Sequence, residues 1–75
     1  MTKQEFLDEI NKVVKEKPQN WGRGQTVFNY IDKNYGVART IQFKYGVDCF
    51  YNDNKVPDFL DIAYKLIQAQ DKQDE

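Results

Sequence analysis

The sequence predicts an all-α fold, a compact bundle of three to four helices with an irregular or short extended segment at about 44–52. In three stretches, apolar residues recur at intervals of three and four, which is the spacing of a helix that buries one face. Residues that favour helix starts or ends bound each of these stretches. Because each helix is apolar on one stripe only, we expect all of them to share a single core.

The first helix is predicted from the residues at the beginning of the sequence. Thr2 followed by Glu5 is the pattern of a capping box, in which each side chain accepts a hydrogen bond from the other residue's backbone amide. Pro18 ends the helix because it disfavours helical geometry at the residue before it. The buried stripe of this helix comprises Phe6, Leu7, Ile10, Val13 and Val14.

A loop at 18–24 and a second helix at about 25–35 follow. Two glycines flank Arg23 in the loop and give the backbone unusual freedom, and we expect Trp21 to pack onto the core. Gly36 supplies the stop of the second helix. Its apolar face comprises Val27, Phe28, Ile31 and Tyr35.

The stretch from 37 to 50 admits two interpretations. We favour a short third helix at about 37–43 followed by an extended segment. Residues 41–49 also alternate strictly between apolar and polar, as a half-buried strand would. The alternative fold is therefore α+β, with a small hairpin at about 40–50. It is less favoured because a lone strand has no obvious partner elsewhere in the chain.

The last helix is predicted with Asp53 or Asn54 as its cap and Pro57 in its first turn, and its apolar stripe runs from Val56 to Ile67. The composition then turns polar. We therefore expect one helical domain over 1–67 and a frayed or disordered tail over 68–75. With 75 residues, 40% of them hydrophobic, the chain suffices for a single small core.

Composition argues against several classes of activity. The chain has no histidine, which is the commonest general base and zinc ligand. Its one cysteine, Cys49, follows Asp48, whose charge opposes formation of a thiolate. We expect a buried, inert thiol, no catalytic residues, no metal and no cofactor.

Charge and hydropathy bear on partners and location. A net charge of −1 argues against strong electrostatic binding to nucleic acid or to a membrane surface. No stretch approaches the roughly 20 apolar residues that a membrane span requires, and no signal-peptide pattern is visible. We expect a cytoplasmic protein, in a bacterium or in a host cell, with no membrane partner.

Candidate binding residues lie in the middle of the chain. Eight of the eleven aromatic residues fall between Trp21 and Tyr51, and exposed aromatics beside arginine are typical of recognition surfaces. Gln25 and Asn29 face away from the apolar stripe of the second helix. They form a solvated face, a polar network under the segment around Asp48, or part of a partner-binding patch. The candidate binding set is Trp21, Arg23, Gln25, Asn29, Asp48 and Tyr51.

One combination of short motifs resembles a protein family. Arg23-Gly24-Gln25 precedes Phe28-Asn29, and these are followed by Val47-Asp48-Cys49-Phe50-Tyr51, Asp53 and Phe59. This pattern, over residues 20–67, resembles a family of small bacterial and phage proteins with no established activity. That family usually has one further residue between the arginine and the Gly-Gln pair. The resemblance implies a shared fold unit and is compatible with a phage origin.

These observations together predict a small non-enzymatic interaction domain whose partner is another protein. The first alternative is a module that binds single-stranded nucleic acid, stacking bases on the aromatic rings and pairing its cations with phosphates. Only four basic side chains stand against two acidic ones between residues 20 and 51, so nucleic acid is the less favoured partner. The second alternative is a structural or assembly subunit of a phage particle. The cations of the first alternative are Arg23, Lys33, Arg39 and Lys44.

Overall fold

The computed structural model describes residues 1–73, and the side chains of residues 1–70. Within that range it contains four α-helices and no strand, which confirms the predicted all-α class. A short 3-10 turn leads into the last helix. The elements are α1 Lys3–Lys15, α2 Arg23–Tyr35, α3 Ala38–Lys44, the 3-10 turn Asp53–Lys55 and α4 Val56–Gln73.

The alternative with a hairpin at about 40–50 is wrong. A half-buried strand would place Ile41 and Phe43 on the same buried face. Ile41 is fully buried, but Phe43 is 80% exposed. The side chains of α3 that reach the core are Ala38 and Ile41, three residues apart, as a helix requires. The predicted irregular segment after the helix is confirmed, because residues 45–52 belong to no regular element.

The first helix begins as predicted. The Glu5 amide donates to Thr2 Oγ1 at 3.1 Å, and the Thr2 amide donates to Glu5 Oε1 at 2.9 Å. Hydrogen bonds to the Glu5 carboxyl, from the Thr2 amide first and then from the Thr2 side chain, lower the pKa of that carboxyl. The capping box thus satisfies two amides at the start of α1.

The second helix begins two residues earlier than predicted. Arg23 and Gly24 were assigned to the loop, but both belong to the first turn of α2. Gly22, at the N-cap, has no side chain to accept from the free amides. Asp53 supplies the acceptor instead, since the Gly24 amide donates to Asp53 Oδ1 at 2.9 Å. A carboxylate from 29 residues away therefore caps α2.

The sequence suggests that Gly24 provides backbone freedom in a loop, but the structure requires glycine there for lack of space. A Cβ atom on Gly24 would lie 1.8 Å from the carbonyl oxygen of Cys49. The start of α2 and the segment around Cys49 are therefore in backbone contact, and any side chain at position 24 would separate them. By contrast, Gly36 does adopt the left-handed conformation, with φ 71°, and ends α2 as predicted.

A single core joins all four helices. Trp21 was expected to pack onto it, but its side chain is 38% exposed and lies on a surface groove. The loop that carries it closes on itself, with the Trp21 amide donating to the Pro18 carbonyl at 3.1 Å. The fully buried large side chains are Phe6, Ile10, Val27, Ile31, Ile41, Cys49, Val56 and Phe59.

Glu9 joins α1 to α2 through two hydrogen bonds. Its Oε2 atom accepts from the Tyr30 hydroxyl at 2.7 Å and from the Tyr35 hydroxyl at 2.6 Å. Burial, followed by the hydrogen bond and charge of Glu9, raises the pKa of Tyr30 to about 12. Tyr30 and Tyr35 thus donate to the same carboxylate oxygen of Glu9, and this pair of bonds ties α1 to α2.

The last helix extends past the predicted domain boundary at residue 67. It is continuous to Gln73, and the side-chain Nε2 atom of Gln68 donates to the Met1 carbonyl at 2.7 Å. Residues 74–75, the end of the predicted tail, lie outside the described residues. In the described part of the chain, no helix has both the length and the apolar character needed to cross a membrane.

Candidate functional site

The six predicted binding residues do not form one surface. Trp21 and Asn29 line a groove between α1 and α2, whereas Tyr51 lines a separate depression beside α3. Arg23 is exposed on the first turn of α2, and Gln25 is half-buried there. The two depressions are described in turn.

The first depression, the α1–α2 groove, has a volume of about 520 Å³. Trp21 forms part of its wall, and Asn29 lies on the same side of α2 as the groove. Lys17 closes one end, since its Nζ atom donates to the Trp21 carbonyl at 2.8 Å. The residues that line the groove are Val13, Glu16, Lys17, Pro18, Trp21, Thr26, Asn29, Tyr30, Lys33 and Asn34.

The polar network proposed for Gln25, Asn29 and Asp48 does not form. One Asp48 carboxylate oxygen accepts from Gln42 Nε2 at 3.1 Å, and the other accepts from the Phe50 amide at 2.9 Å. Asp48 therefore holds the loop that follows α3, and does not reach α2.

The second depression, the aromatic patch, consists of Arg39, Gln42, Phe43, Phe50 and Tyr51, with an edge of Phe28 at its floor. It has a volume of about 300 Å³. Phe43 is 80% exposed and Tyr51 is 83% exposed, the two highest values among the large hydrophobic side chains. Two aromatic rings thus stand in water on either side of one shallow hollow.

A chain of ring contacts connects the patch to the core. Tyr51 packs edge-on against Phe50 with ring centroids 4.8 Å apart, and Phe50 packs edge-on against Phe28 at 5.5 Å. Phe28 in turn contacts the fully buried Phe59, at 5.8 Å. Edge-to-face pairs of this kind have a preferred geometry. The exposed ring of Tyr51 is therefore connected to the core through packed aromatic rings.

Cys49 fixes the same loop from below. Its side chain is fully buried, and its Sγ atom donates to the Gly24 carbonyl at 3.4 Å. Burial, and then the charge of Asp48, raises the pKa of the thiol to about 12. The thiol remains protonated at neutral pH, and a protonated, inaccessible thiol is a poor nucleophile. The expectation of a buried thiol is confirmed.

Both signs of charge lie near the patch. Arg39 lines the hollow, whereas Lys44 is exposed at the end of α3 but is not among the lining residues. The Asp48 carboxylate accepts hydrogen bonds from Gln42, which lines the hollow, and from the Phe50 amide. Among the described residues, no group of three or more His, Cys, Asp or Glu side chains is placed to hold a metal ion.

Sequence reasoning missed Phe43 and Arg39 as members of an exposed surface. The signal was present in the third helix. On a helical wheel, Phe43 lies almost opposite the direction shared by Ala38 and Ile41, and Arg39 is its neighbour one turn earlier. The competing strand interpretation placed Phe43 with Ile41 on a buried face and so hid this pattern.

Comparisons with protein-family models, with curated proteins and with solved structures find no match to this chain.

Proposed function

We propose that this chain is a non-enzymatic domain that binds another protein through the aromatic patch. The observation that supports the proposal is the joint exposure of Phe43 and Tyr51 on one hollow, at 80% and 83%. Burying a large apolar side chain stabilises by about 1.5–3 kcal/mol. A partner that covers both rings would therefore gain about 3–6 kcal/mol from them before the costs of association are counted.

The composition of the patch supports a protein partner. Tyrosine and arginine are enriched among the residues that dominate binding energy at protein interfaces. Here Tyr51 and Arg39 flank Phe43, and Gln42 adds a polar side chain whose carbonyl is free for a partner when its amide binds Asp48. The packing of Tyr51 on Phe50 lowers the entropy cost of ordering that ring on binding.

Affinity capture with matched variants tests the proposal. The tagged chain, Phe43→Ala/Tyr51→Ala and Tyr45→Ala are used as baits in extracts of the native cell, and the captured protein is then titrated in purified form. Tyr45 is a suitable control because it is also an exposed aromatic, at 47%, but does not line the patch. We expect the double variant to weaken binding at least about tenfold, as loss of roughly 1.4 kcal/mol would.

A third bait distinguishes the two depressions. Trp21→Ala/Asn29→Ala alters the α1–α2 groove, which contains two of the residues predicted from sequence. Binding that is lost in this variant and kept in Phe43→Ala/Tyr51→Ala would contradict the proposal and assign the partner to the groove. Circular dichroism of each variant establishes that it is folded.

A second candidate is the binding of single-stranded nucleic acid, and the exposed rings favour it. Bases stack readily on rings such as Phe43 and Tyr51, and Arg39 lines the same hollow as a cation for a phosphate. Fluorescence anisotropy with labelled single-stranded DNA and RNA tests this candidate. Binding that is absent, or that does not weaken as salt rises, would exclude it.

We also propose a cytoplasmic setting and a bacterial or phage source. The source rests on the resemblance carried by Arg23-Gly24-Gln25, Phe28-Asn29 and the segment from Val47 to Tyr51. Affinity capture in both uninfected and infected cells covers both sources.

A further inference from the structure

We infer that the aromatic patch of one copy of the chain packs against the same patch of a second copy, in a weak two-fold dimer in which Arg39 of each copy pairs with Asp48 of the other. The dimer goes beyond the proposed function, because it forms when no other protein covers the patch. A second copy and another protein would cover the same two rings, Phe43 and Tyr51, and therefore compete for them.

The apolar part of the patch consists of rings that one chain leaves in water. Phe43 is 80% exposed and Tyr51 is 83% exposed, on either side of a hollow of about 300 Å³. In a two-fold dimer the same surface meets itself, so each copy presents two projecting rings and one hollow to the other. A ring that enters the partner's hollow meets two further rings there, those of Phe28 and Phe50.

The charges beside the hollow are of both signs, which allows the patch to pair with itself. Arg39 lines the hollow. The Asp48 carboxylate lies beside it, bonded to Gln42 Nε2 at 3.1 Å and to the Phe50 amide at 2.9 Å, and a carboxylate has further lone pairs with which to bind a cation. Among the described residues no ion pair joins Arg39 to Asp48, so both charges are available to a second copy.

Gln42 is adjacent to both charges. It follows Arg39 by three residues on α3, which makes the two side chains neighbours on the helix surface, and its Nε2 atom donates to Asp48. A two-fold axis close to Gln42 would bring Arg39 of one copy to Asp48 of the other and form the reverse pair at the same time. Because Gln42 also lines the hollow, the same axis brings the exposed rings of the two copies together.

The exposed area suits a weak dimer and not a permanent one. A fully covered aromatic side chain removes about 150–250 Å² from water. The two exposed rings of each copy would therefore account for about 500–800 Å² in a dimer, to which Arg39 and Gln42 add. Stable interfaces bury about 1,200–2,000 Å², and smaller ones are typical of transient contacts. We expect a Kd of about 10 μM to 1 mM.

Nucleic acid and an acidic peptide fit the patch less well. Among the described residues that line the hollow, Arg39 is the one cation, whereas affinity for a phosphate backbone grows with the number of phosphates that cations neutralise. The carboxylate of Asp48 beside the hollow would repel phosphates and carboxylates alike. A second copy carries a carboxylate for Arg39 and a cation for Asp48, so it matches both charges.

Sedimentation equilibrium of the full chain, from about 10 μM to about 1 mM, tests the inference. We expect the average mass to rise with concentration from that of the monomer toward that of the dimer. Phe43→Ala and Arg39→Glu should each raise the Kd at least about tenfold. The matched control is Lys44→Glu, which makes the same charge change at an exposed α3 residue that does not line the hollow. Its Kd should stay within about threefold of that of the unaltered chain.

A mixture of two charge variants tests the contact between Arg39 and Asp48 directly. In a dimer of Arg39→Glu each new carboxylate faces Asp48, and in a dimer of Asp48→Lys each new ammonium faces Arg39, so each variant alone should dimerise poorly. Their equimolar mixture restores both ion pairs and should dimerise within about threefold of the unaltered chain. Lys44→Glu mixed with Asp48→Lys has the same net charges but restores one pair only, and should bind at least about fivefold more weakly.

Asp48 also holds the loop after α3, so circular dichroism establishes whether Asp48→Lys is folded. If it is not, Asp48→Asn takes its place, because an amide oxygen can still accept from the Phe50 amide. Asp48→Asn removes the charge and should raise the Kd at least about threefold. An unchanged Kd in this variant, or folded charge variants whose mixture stays monomeric, would overturn the inference.

The outcomes distinguish this inference from the proposed function. A chain that stays monomeric up to about 1 mM, or a dimer that Phe43→Ala and Arg39→Glu leave unchanged, would overturn the inference and leave capture of another protein to be judged by its own experiment. Single-stranded DNA or RNA, or an acidic peptide, that binds the monomeric chain and is lost in Phe43→Ala would assign the patch to that occupant instead.

Discussion

Replacing Gly24 with alanine provides a sharp test of how the start of α2 is packed. In an ordinary helix, alanine in place of glycine stabilises by up to about 1 kcal/mol, because it restricts the unfolded chain and covers the backbone. Here the new Cβ would lie 1.8 Å from the Cys49 carbonyl oxygen and 2.8 Å from Asp53 Oδ1. The oxygen at the shorter distance belongs to the backbone, so it cannot move away by a side-chain rotation.

The expected cost follows from the shift that this contact demands. The segment around Cys49 must move outward by more than an ångström, and overpacking of this kind costs about 1–3 kcal/mol. The same movement pulls Asp53 away from the Gly24 amide, a capping bond at 2.9 Å of a type that contributes about 1 kcal/mol. After subtraction of the helix-propensity gain, we expect Gly24→Ala to destabilise by about 2 kcal/mol or more.

Urea denaturation followed by circular dichroism measures the effect, and Gly22→Ala is the matched control. A Cβ at Gly22 would lie 3.6 Å from the nearest atom, an ordinary contact, so its cost should stay within about 1 kcal/mol. For a domain of this size the melting temperature of Gly24→Ala should fall by about 8–16 °C. A Gly24→Ala protein as stable as the control, or more stable than the unaltered chain, would refute the close approach of α2 to Cys49.

Four further outcomes follow from the same geometry. The pKa of Cys49 lies at about 12 against an ordinary 9.0, so the stability that the buried thiol contributes is present below pH 9.0 and is lost as the pH rises toward 12. Cys49→Ala should therefore reduce the loss of unfolding free energy over this pH range. Urea denaturation at several pH values measures it, and an unchanged slope of unfolding free energy against pH would contradict the raised pKa. Glu9→Ala removes the shared acceptor of two tyrosine hydroxyls and should destabilise by about 1–3 kcal/mol, whereas Asp8→Ala, on an exposed neighbour, should stay within about 0.5 kcal/mol. Glu9→Gln should lower the pKa of Tyr30 only part of the way from about 12 toward 10.0, because burial is the largest cause of the shift. If an ultraviolet titration shows the same pKa in the variant, Glu9 does not contribute to the shift. Asp53→Asn should lower the free energy of unfolding by about 0.5 kcal/mol and Asp53→Ala by about 1 kcal/mol. Smaller decreases in both variants would show that α2 needs no cap from residue 53.

Local chemistry explains why much of the fold could be predicted from the sequence. The capping box of Thr2 and Glu5, and the left-handed stop at Gly36, involve residues within one helical turn of each other. Periodic apolar residues such as Phe6, Ile10 and Ile31 are fully buried or nearly so, as predicted. Such features depend on neighbours in the chain, which a sequence displays directly.

The candidate site could be predicted only in part. Tyr51 lies on the aromatic patch, and Trp21 and Asn29 line the other depression. Helical spacing would have placed Phe43 on the surface, but alternation over 41–49 also admitted a strand as the alternative. In a segment as short as α3, which has seven residues, the spacing of apolar residues alone does not distinguish a helix from a strand. Only the position of the neighbouring elements distinguishes them.

The sequence by itself determined that this protein is a helical domain with one shared core, a capped first helix and an inert buried cysteine. The tertiary structure alone decided where α2 begins, because its cap, Asp53, comes from 29 residues away. It also decided that Glu9 holds two tyrosines across α1 and α2, and that Phe43 stands in water. These features depend on contacts between residues far apart in the chain. Residue type and spacing do not reveal such contacts, since they arise only when the helices pack.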